Sequence, residues 1–419
     1  MVKTRMIVLA TLIIGRAAVA QQPSASAAAY GMGGNYLAAA TGFNAVAWNP
    51  AMLGVGNGGF TLNLLSGGLL TGLAPVKLTD ITDFGGMVIP ATTKEAWLNQ
   101  IGTGTETGGA NAGFSLIALS VGPVAFQVGA SGTGDANLNQ DAAEAILFGN
   151  AGRAGTPRNL SFNGSAASGS SFATGAASVA IPLPFSPMGR PLERLSIGVT
   201  GKYVRGIAVA RAQDNGSTVT PNNVTVAFPA IFTDSTHLGN AGSGFGMDLG
   251  VAWNDGGTTI GATVRNVVNT FAWSTTSLSS TPGTVAFDGT NNTINFKPAP
   301  YSGAPATMRA ALEDEKFKPE LAAGVAHRSA SLTLTADASS RVGDGIDVGP
   351  RTHVGVGAEY RAISFLALRA GVAAITGGSQ LAGGLGLKFG SAEVGFGTSV
   401  RSVNNNTEYG AMFSVLSIH

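Results

Sequence analysis

Chemistry that needs a nucleophile or a metal has little to work with in this sequence. There is no cysteine, so thiolate ligands, disulfides and cysteine nucleophiles are excluded, and only four histidines occur, His237, His327, His353 and His419. No G-x-S-x-G elbow, H-E-x-x-H helix or P-loop is present. Gly54, Gly56 and Gly59 match the G-x-G-x-x-G fingerprint in letters only. With 61 glycines in 419 residues such spacings arise by chance, and no βαβ unit surrounds this one. A serine paired with His353 is the one hydrolase-like arrangement left, and nothing nearby completes it. The expectation is therefore no enzyme, no cofactor and no resident metal.

Composition narrows the class further. Charged residues are 11% of the chain, less than half the roughly 25% of soluble domains, while 44% are hydrophobic. A soluble protein of this size needs more charge to cover its surface. Disorder is excluded by the hydrophobic content and a net charge of +1, which also gives no basic footprint for nucleic acid. No stretch approaches the roughly 18 to 20 apolar residues of a spanning helix. The first twenty residues read as a secretory signal, with Lys3 and Arg5, an apolar run from Met6 to Ile14, and Ala18-Val19-Ala20 before Gln21.

What remains is alternation. Leu195, Ile197, Val199, Gly201 and Tyr203 share one face of a strand, and Ser196, Gly198, Thr200 and Lys202 the other. Met247 to Trp253, Val354 to Tyr360 and Tyr409 to Val415 repeat the pattern. Strands are expected near 59–67, 112–121, 122–131, 172–182, 194–209, 244–253 and 258–266. Seven more are expected near 319–327, 330–339, 351–360, 364–374, 381–389, 391–401 and 407–418, with 222–231 left in a loop. Read back from the C-terminus, connections alternate long and short: 403–406 and 376–380 long, Gly390-Ser391 and Asp255-Gly256 tight. The expected fold class is all-β, a 14-stranded antiparallel transmembrane β-barrel with an N-terminal hatch and short helices in the outer loops. The divisions are a signal peptide at 1–20, a hatch at 21–58 and the barrel at 59–419.

Parity then assigns sides. Lys202, Asp248, Arg265, Glu320, Asp337, His353, Glu359, Arg369, Lys388 and Glu393 face the lumen, where mutual pairing is the ordinary expectation. Lys202 and Arg369 are the candidates to meet a ligand carboxylate. Gly355, Gly357, Gly384, Gly386, Gly395 and Gly397 also point inward, leaving room for close approach to the backbone. Two loops contain helical text, 92–101 and 138–149. There Trp97, Leu98 and Ile101, and Ile146, Leu147 and Phe148, either pack on each other or offer a landing site for an apolar ligand.

The run AYGMGGNYLAAATGFNAVAWNPAMLG at 29–54 carries a resemblance. Gly31-Met32-Gly33-Gly34 followed by Asn49-Pro50-Ala51 resembles the hatch of the FadL/TodX family of outer-membrane transporters for long-chain fatty acids and other hydrophobic compounds. The tripeptide is also similar to one in PorV-like barrels of secretion machinery, and the C-terminal half looks more like those uncharacterised relatives. Glu408 to Val415 is similar to a barrel-insertion signal, although the chain ends in His419 and not in an aromatic residue. The resemblance implies fourteen strands around a hatch, a location in outer-membrane lipid, and passive uptake of a hydrophobic ligand such as a fatty acid. Its rival is a PorV-like barrel that docks a periplasmic or secretion partner. Asn49 and Pro50 suit a rigid turn, one bonding neighbouring backbone and the other fixing φ.

Overall fold

The computed structural model describes residues 26–56, 58–72, 75–76, 80, 83–84, 87–101, 105–149, 151–190, 192–287, 292–346, 349–404 and 406–418. The expected signal peptide lies outside them. Fourteen strands form the wall. They are β1 (Phe60–Gly72), β2 (Thr105–Val121), β3 (Val124–Asn139), β4 (Ala166–Leu183), β5 (Arg194–Gln213), β6 (Gly242–Asn254) and β7 (Thr258–Asn269). The rest are β8 (Glu320–Arg328), β9 (Leu332–Arg341), β10 (Thr352–Ile363), β11 (Leu366–Ile375), β12 (Gly378–Phe389), β13 (Ala392–Val403) and β14 (Asn406–Ile418). Each pairs antiparallel with the next, and β14 pairs with β1 from Leu62↔Ile418 to Thr71↔Tyr409, closing the barrel.

Period-two sequence fixes the two faces. In β11, Leu368 and Val372 are exposed on the outside while Arg369 and Ala373 are buried inside. The same alternation leaves an apolar belt around the barrel that includes Ile197, Leu249, Val356, Leu385, Phe396 and Phe413. With no water to satisfy a backbone in hydrocarbon, only a closed ladder of this kind can carry such a belt.

Loop lengths correct the sequence reading in three places. The connections at 376–377 and 404–405 are two residues long because β12 begins at Gly378 and β14 at Asn406. The connection 184–193, at the end of the barrel that holds the short turns, is long. The segment 222–231, expected in a loop, is partly strand. Val224–Ala227 joins a separate five-stranded sheet with Leu160–Ser161, Thr218–Val219, Thr284–Phe287 and Asn292–Asn295. Ala230–Thr233 extends the wall beside β5.

The segment 26–56 lies inside the barrel. It forms short helices at Ala27–Gly31, Ala45–Trp48 and Met52–Val55 and a 3-10 turn at Gly42–Asn44. The expected inward glycines receive it. A side chain on Gly384 would meet Gly31 Cα at 3.0 Å, one on Gly395 would meet Ala27 Cβ at 3.0 Å, and one on Gly357 the Met32 carbonyl at 2.9 Å. A second apolar core fills the loop end, where Phe172, Phe271, Trp273 and Phe317 pack at ring distances from 5.0 to 5.5 Å with Met308, Leu312 and Ile346 around them.

The 184–193 connection is tied by the Glu193 carboxylate and by the Arg190–Asp255 ion pair at 2.7 Å. Glu193 accepts from the Ser186 hydroxyl, from the Trp253 indole at 2.5 Å and from the Met188 and Arg190 N–H groups. Partial desolvation opposes ionisation, but these donors outweigh it and bring the carboxyl down to about 2. A depressed carboxylate stabilises above its ordinary pKa and loses that contribution as the pH falls through the folded value. Hydrogen exchange in detergent should show the 186–193 amides protected down to about pH 4 and released near the folded pKa of about 2, with Glu193→Gln releasing them at neutral pH.

Candidate functional site: a broken seam beside a pinned inner segment

The inner segment is held unevenly. Asn49 Nδ2 donates to the Val251 carbonyl at 3.1 Å and to the Ala262 carbonyl at 3.4 Å, while its Oδ1 accepts from the Ala51 N–H at 3.0 Å. Gly250 and Gly261 leave the space this amide occupies, and Gly198 lies against Pro50 and Ala51. Asn35 bridges the Val356 carbonyl at 2.9 Å and His353 at 3.0 Å, and Thr335 donates to the Asn35 carbonyl at 2.7 Å. Asp337 accepts the Leu37 N–H at 2.8 Å, and Arg328 donates to the Ala39 carbonyl at 2.6 Å. All of these partners belong to β6–β10.

Towards β2–β5 the same segment packs mainly through apolar side chains, with one such bond, from Arg194 to the Gly56 carbonyl at 2.9 Å. Val46, Met52, Leu53 and Val55 bury against Ala125, Ala176 and Ala180. Phe43 packs on Ala118. The link to β1 is the Phe43 N–H donating to Thr61 Oγ1 at 2.8 Å.

The expected lumen charges are largely consumed by each other. Lys202 binds Asp248 at 2.6 Å and the Asn266 side-chain oxygen at 2.9 Å. Arg369 binds Glu359 at 2.8 Å and Glu393 at 2.6 Å, and Arg265 binds Glu320 at 2.8 Å. Arg265 also lies over the Trp48 ring at 5.8 Å. Buried charges need such partners, since breaking a pair leaves one uncompensated at roughly 3 to 5 kcal/mol. Neither Lys202 nor Arg369 presents a free charge to a carboxylate.

The loop helices Ala91–Ile101 and Gln140–Phe148 pack on each other. Leu98 and Ile101 bury with Ala143 against Phe148, and Trp97 is buried beside Phe84 with its indole N–H on Asp80 at 3.1 Å. Leu147 is half-buried, and Ile146, 69% exposed, alone stands out in solvent. As a landing surface the six residues therefore reduce to Ile146 and its surroundings. Sequence reasoning missed the larger aromatic core of the long connections, although Phe271, Trp273 and Phe317 in one 50-residue stretch were its signal.

It also missed the seam. β1 and β2 pair at Phe60↔Val121, Thr61↔Ser120 and Gly72↔Gly109, and between Thr61 and Gly72 the ladder is interrupted. The end pairs share one register, which sets Leu65 opposite Leu116. Leu65 has φ +54°, a conformation a bulky residue rarely adopts. Leu116 is the extra residue of a bulge, unpaired between Ser115↔Gly129 and Ile117↔Val128 of the β2–β3 ladder. Both strands are thus irregular at one height. Leu64, Leu65, Leu69, Phe114 and Leu116 line the outer side and are all exposed, with Phe114 lying over Gly67. On the inner side, the Gly42–Asn44 turn packs near Thr61 and Ala118, at one end of the interrupted stretch.

Solved structures share this architecture. The CymD monoaromatic hydrocarbon channel superposes with a TM-score of 0.51 at 13% identity, covering 94% of this chain and 97% of that one. A TodX monoaromatic hydrocarbon channel carrying the deltaS2 mutation gives 0.51 at 13%, over 94% and 97%. A FadL homologue of Pseudomonas aeruginosa gives 0.50 at 12%, over 94% and 98%. The fold is that of the FadL-type outer-membrane channels. No protein-family model and no curated protein matches the sequence. At these identities the likeness concerns the FadL-type barrel, and the seam and its lining are read from this chain's own residues.

The asymmetric pinning has a measurable consequence. Asn49→Ala removes three hydrogen bonds of a completely buried side chain and leaves two wall carbonyls without that donor, at about 1 kcal/mol per bond. The variant should lose about 2 to 3 kcal/mol in reversible denaturation. Hydrogen exchange should rise in residues 45–53 before it rises in the wall.

Proposed function

We propose that this protein is an outer-membrane channel for passive uptake of hydrophobic small molecules, and that they leave the lumen sideways through the β1–β2 seam. The observation that carries the reading is the interrupted ladder, with Leu65 and Leu116 irregular at one height. An interrupted ladder in a lipid-facing wall is costly wherever backbone groups lose partners, several kcal/mol each, and that cost supports a functional role for it. The axial route supports the same reading. It is filled by the loop-end aromatic core and by the inner segment, so a straight aqueous pore does not run through it.

In this reading residues 26–56 act as a hatch anchored by Asn49-Pro50-Ala51 on the β6–β7 wall. The long loops face the outside, and Ile146 with the exposed loop residues makes first contact. The similar CymD and TodX structures are monoaromatic hydrocarbon channels, which agrees with an apolar cargo. Long-chain fatty acids are one class to test. A second reading, docking of a protein partner, is favoured by one feature: the edge strand Asn292–Asn295 of the loop sheet, where Ile294 is 73% exposed and Phe296, just past its end, 57%.

The native chain has no cysteine, which makes a cross-link across the seam clean. Leu65→Cys with Leu116→Cys, bridged by a short bis-methanethiosulfonate, should cut uptake of a labelled alkane by roughly tenfold or more, a barrier of at least about 1.4 kcal/mol. Dithiothreitol should restore it. The same bridge between Val356→Cys and Val372→Cys, neighbours in an intact ladder, should leave uptake unchanged. Equal uptake with the seam bridged and unbridged would rule out the lateral route.

A further inference from the structure

The strands of the seam carry no charge along most of their length. From Phe60 to Gly72 and from Gly108 to Gly134 the sequence contains no Asp, Glu, Lys, Arg or His. The buried polar side chains there are neutral, Asn63, Ser66, Ser115 and Ser120 among them. They bond to one another and to neighbours of the same kind. Thr61 and Ser120 lie 2.8 Å apart, Gln127 donates to Ser115 at 3.2 Å, and Ser417 donates to Asn63 at 3.0 Å. The wall's ion pairs described above all lie on strands from β5 to β13, none of them on β1, β2 or β3.

The Gly42–Asn44 turn is pressed against this neutral face, with Phe43 on Ala118 and on Thr61. Asn44 is completely buried, and neither its Nδ2 nor its Oδ1 has a hydrogen-bond partner among the described residues. Buried polar groups without partners are rare and ask for one. An amide offers donors and an acceptor together, which matches a hydroxyl group in full and a carbonyl in part. A carboxylate could use the donors alone. It would also find no cation on this face to replace its lost water.

We propose that the seam passes uncharged hydrophobic molecules, and that Asn44 is the group that recognises a neutral hydroxyl or carbonyl on them. This rests on the lateral uptake proposed above and narrows its cargo to alcohols, phenols, ketones and esters, with plain hydrocarbons passing unrecognised. Ionised amphiphiles are disfavoured by the same lining that admits their neutral counterparts. In this proposal Asn44 is a specificity residue, because its amide has no other partner among the described residues.

The test compares labelled 1-dodecanol, dodecane and dodecanoate, equal in chain length, near pH 8 where the acid is ionised. Accumulation is measured in cells that lack other transporters for such compounds and express the full chain, against cells with an empty vector. Dodecanol should enter roughly tenfold faster than dodecanoate. Asn44→Leu should slow dodecanol roughly tenfold, the value of one lost hydrogen bond to cargo, while dodecane is unchanged. Asn44→Ser, which keeps a hydroxyl, should recover part of the loss. Heat-modifiable mobility on gels checks that each variant barrel is folded, and the wild-type comparison of the three compounds stands even if Asn44→Leu does not fold. Dodecanoate entering as fast as dodecanol, or Asn44→Leu leaving dodecanol unchanged, would overturn the proposal. If none of the three compounds exceeds the empty vector, lateral uptake itself fails, and that result is distinct from a failure of selectivity alone.

Discussion

Closure of the backbone hydrogen-bond ladder is the constraint on which the rest of this molecule depends. A wall that presents Leu, Val and Phe outward cannot leave an unpaired edge, because hydrocarbon offers the backbone no substitute for water. The pairing of β14 with β1 across Leu62↔Ile418 to Thr71↔Tyr409 meets that demand at the join of the two ends. Once the wall closes, its inward face becomes a confined space that must be filled. The inner segment fills the middle, and the aromatic core of the long connections fills the loop end. The seam between β1 and β2 is the place where the constraint is relaxed.

Glycine makes the filling compatible with the closure. A strand loses packing and gains entropy cost at each glycine, yet only a bare backbone lets another backbone approach it. Gly371 against the Met32 carbonyl and Gly198 against Pro50 and Ala51 are such approaches, and a methyl group at either would overlap main-chain atoms that cannot swing away. The polar contacts then supply specificity. Asn49 reaches carbonyls of two adjacent strands at once, so the inner segment has a defined height in the barrel as well as a defined side.

Much of the wall was legible because period-two alternation is a local property. Leu195 to Tyr203 states its two faces in nine residues, and the inward parity of Lys202, Asp248, Arg369 and Glu393 follows from it. Strand lengths were less legible. β2 begins at Thr105 and β4 at Ala166, well before the expected 112 and 172, because past the apolar belt pairing continues on polar sequence such as AASGSS. The turns at 376–377 and 404–405 were read as longer for the same reason. The seam was not legible at all. A missing ladder pair is a relation between two segments, and nothing in the letters of Leu65 or Leu116 announces a positive φ or a bulge. The helix residues Trp97, Leu98 and Ile101 had the right spacing, but spacing alone does not say whether an apolar face meets a ligand or another helix.

The two halves of the lumen divide the work on electrostatic grounds. Charges buried inside a wall must stay paired, and Lys202–Asp248, Arg265–Glu320 and the Glu359–Arg369–Glu393 cluster are arrangements that resist displacement. A segment held against that half by Asn35, Leu37, Ala39 and Asn49 is held firmly. On the opposite half the contacts are mainly apolar side chains on alanine methyls, with the Phe43–Thr61 and Arg194–Gly56 hydrogen bonds beside them, and they separate by a small distance at the loss of few hydrogen bonds. In the lateral uptake proposed above, a path for an apolar molecule opens where the least is lost by opening it. The interrupted ladder, the neutral lining and the apolar packing of the Gly42–Asn44 turn all fall on that same side. In that proposal the firm half keeps the inner segment in register while the compliant half yields.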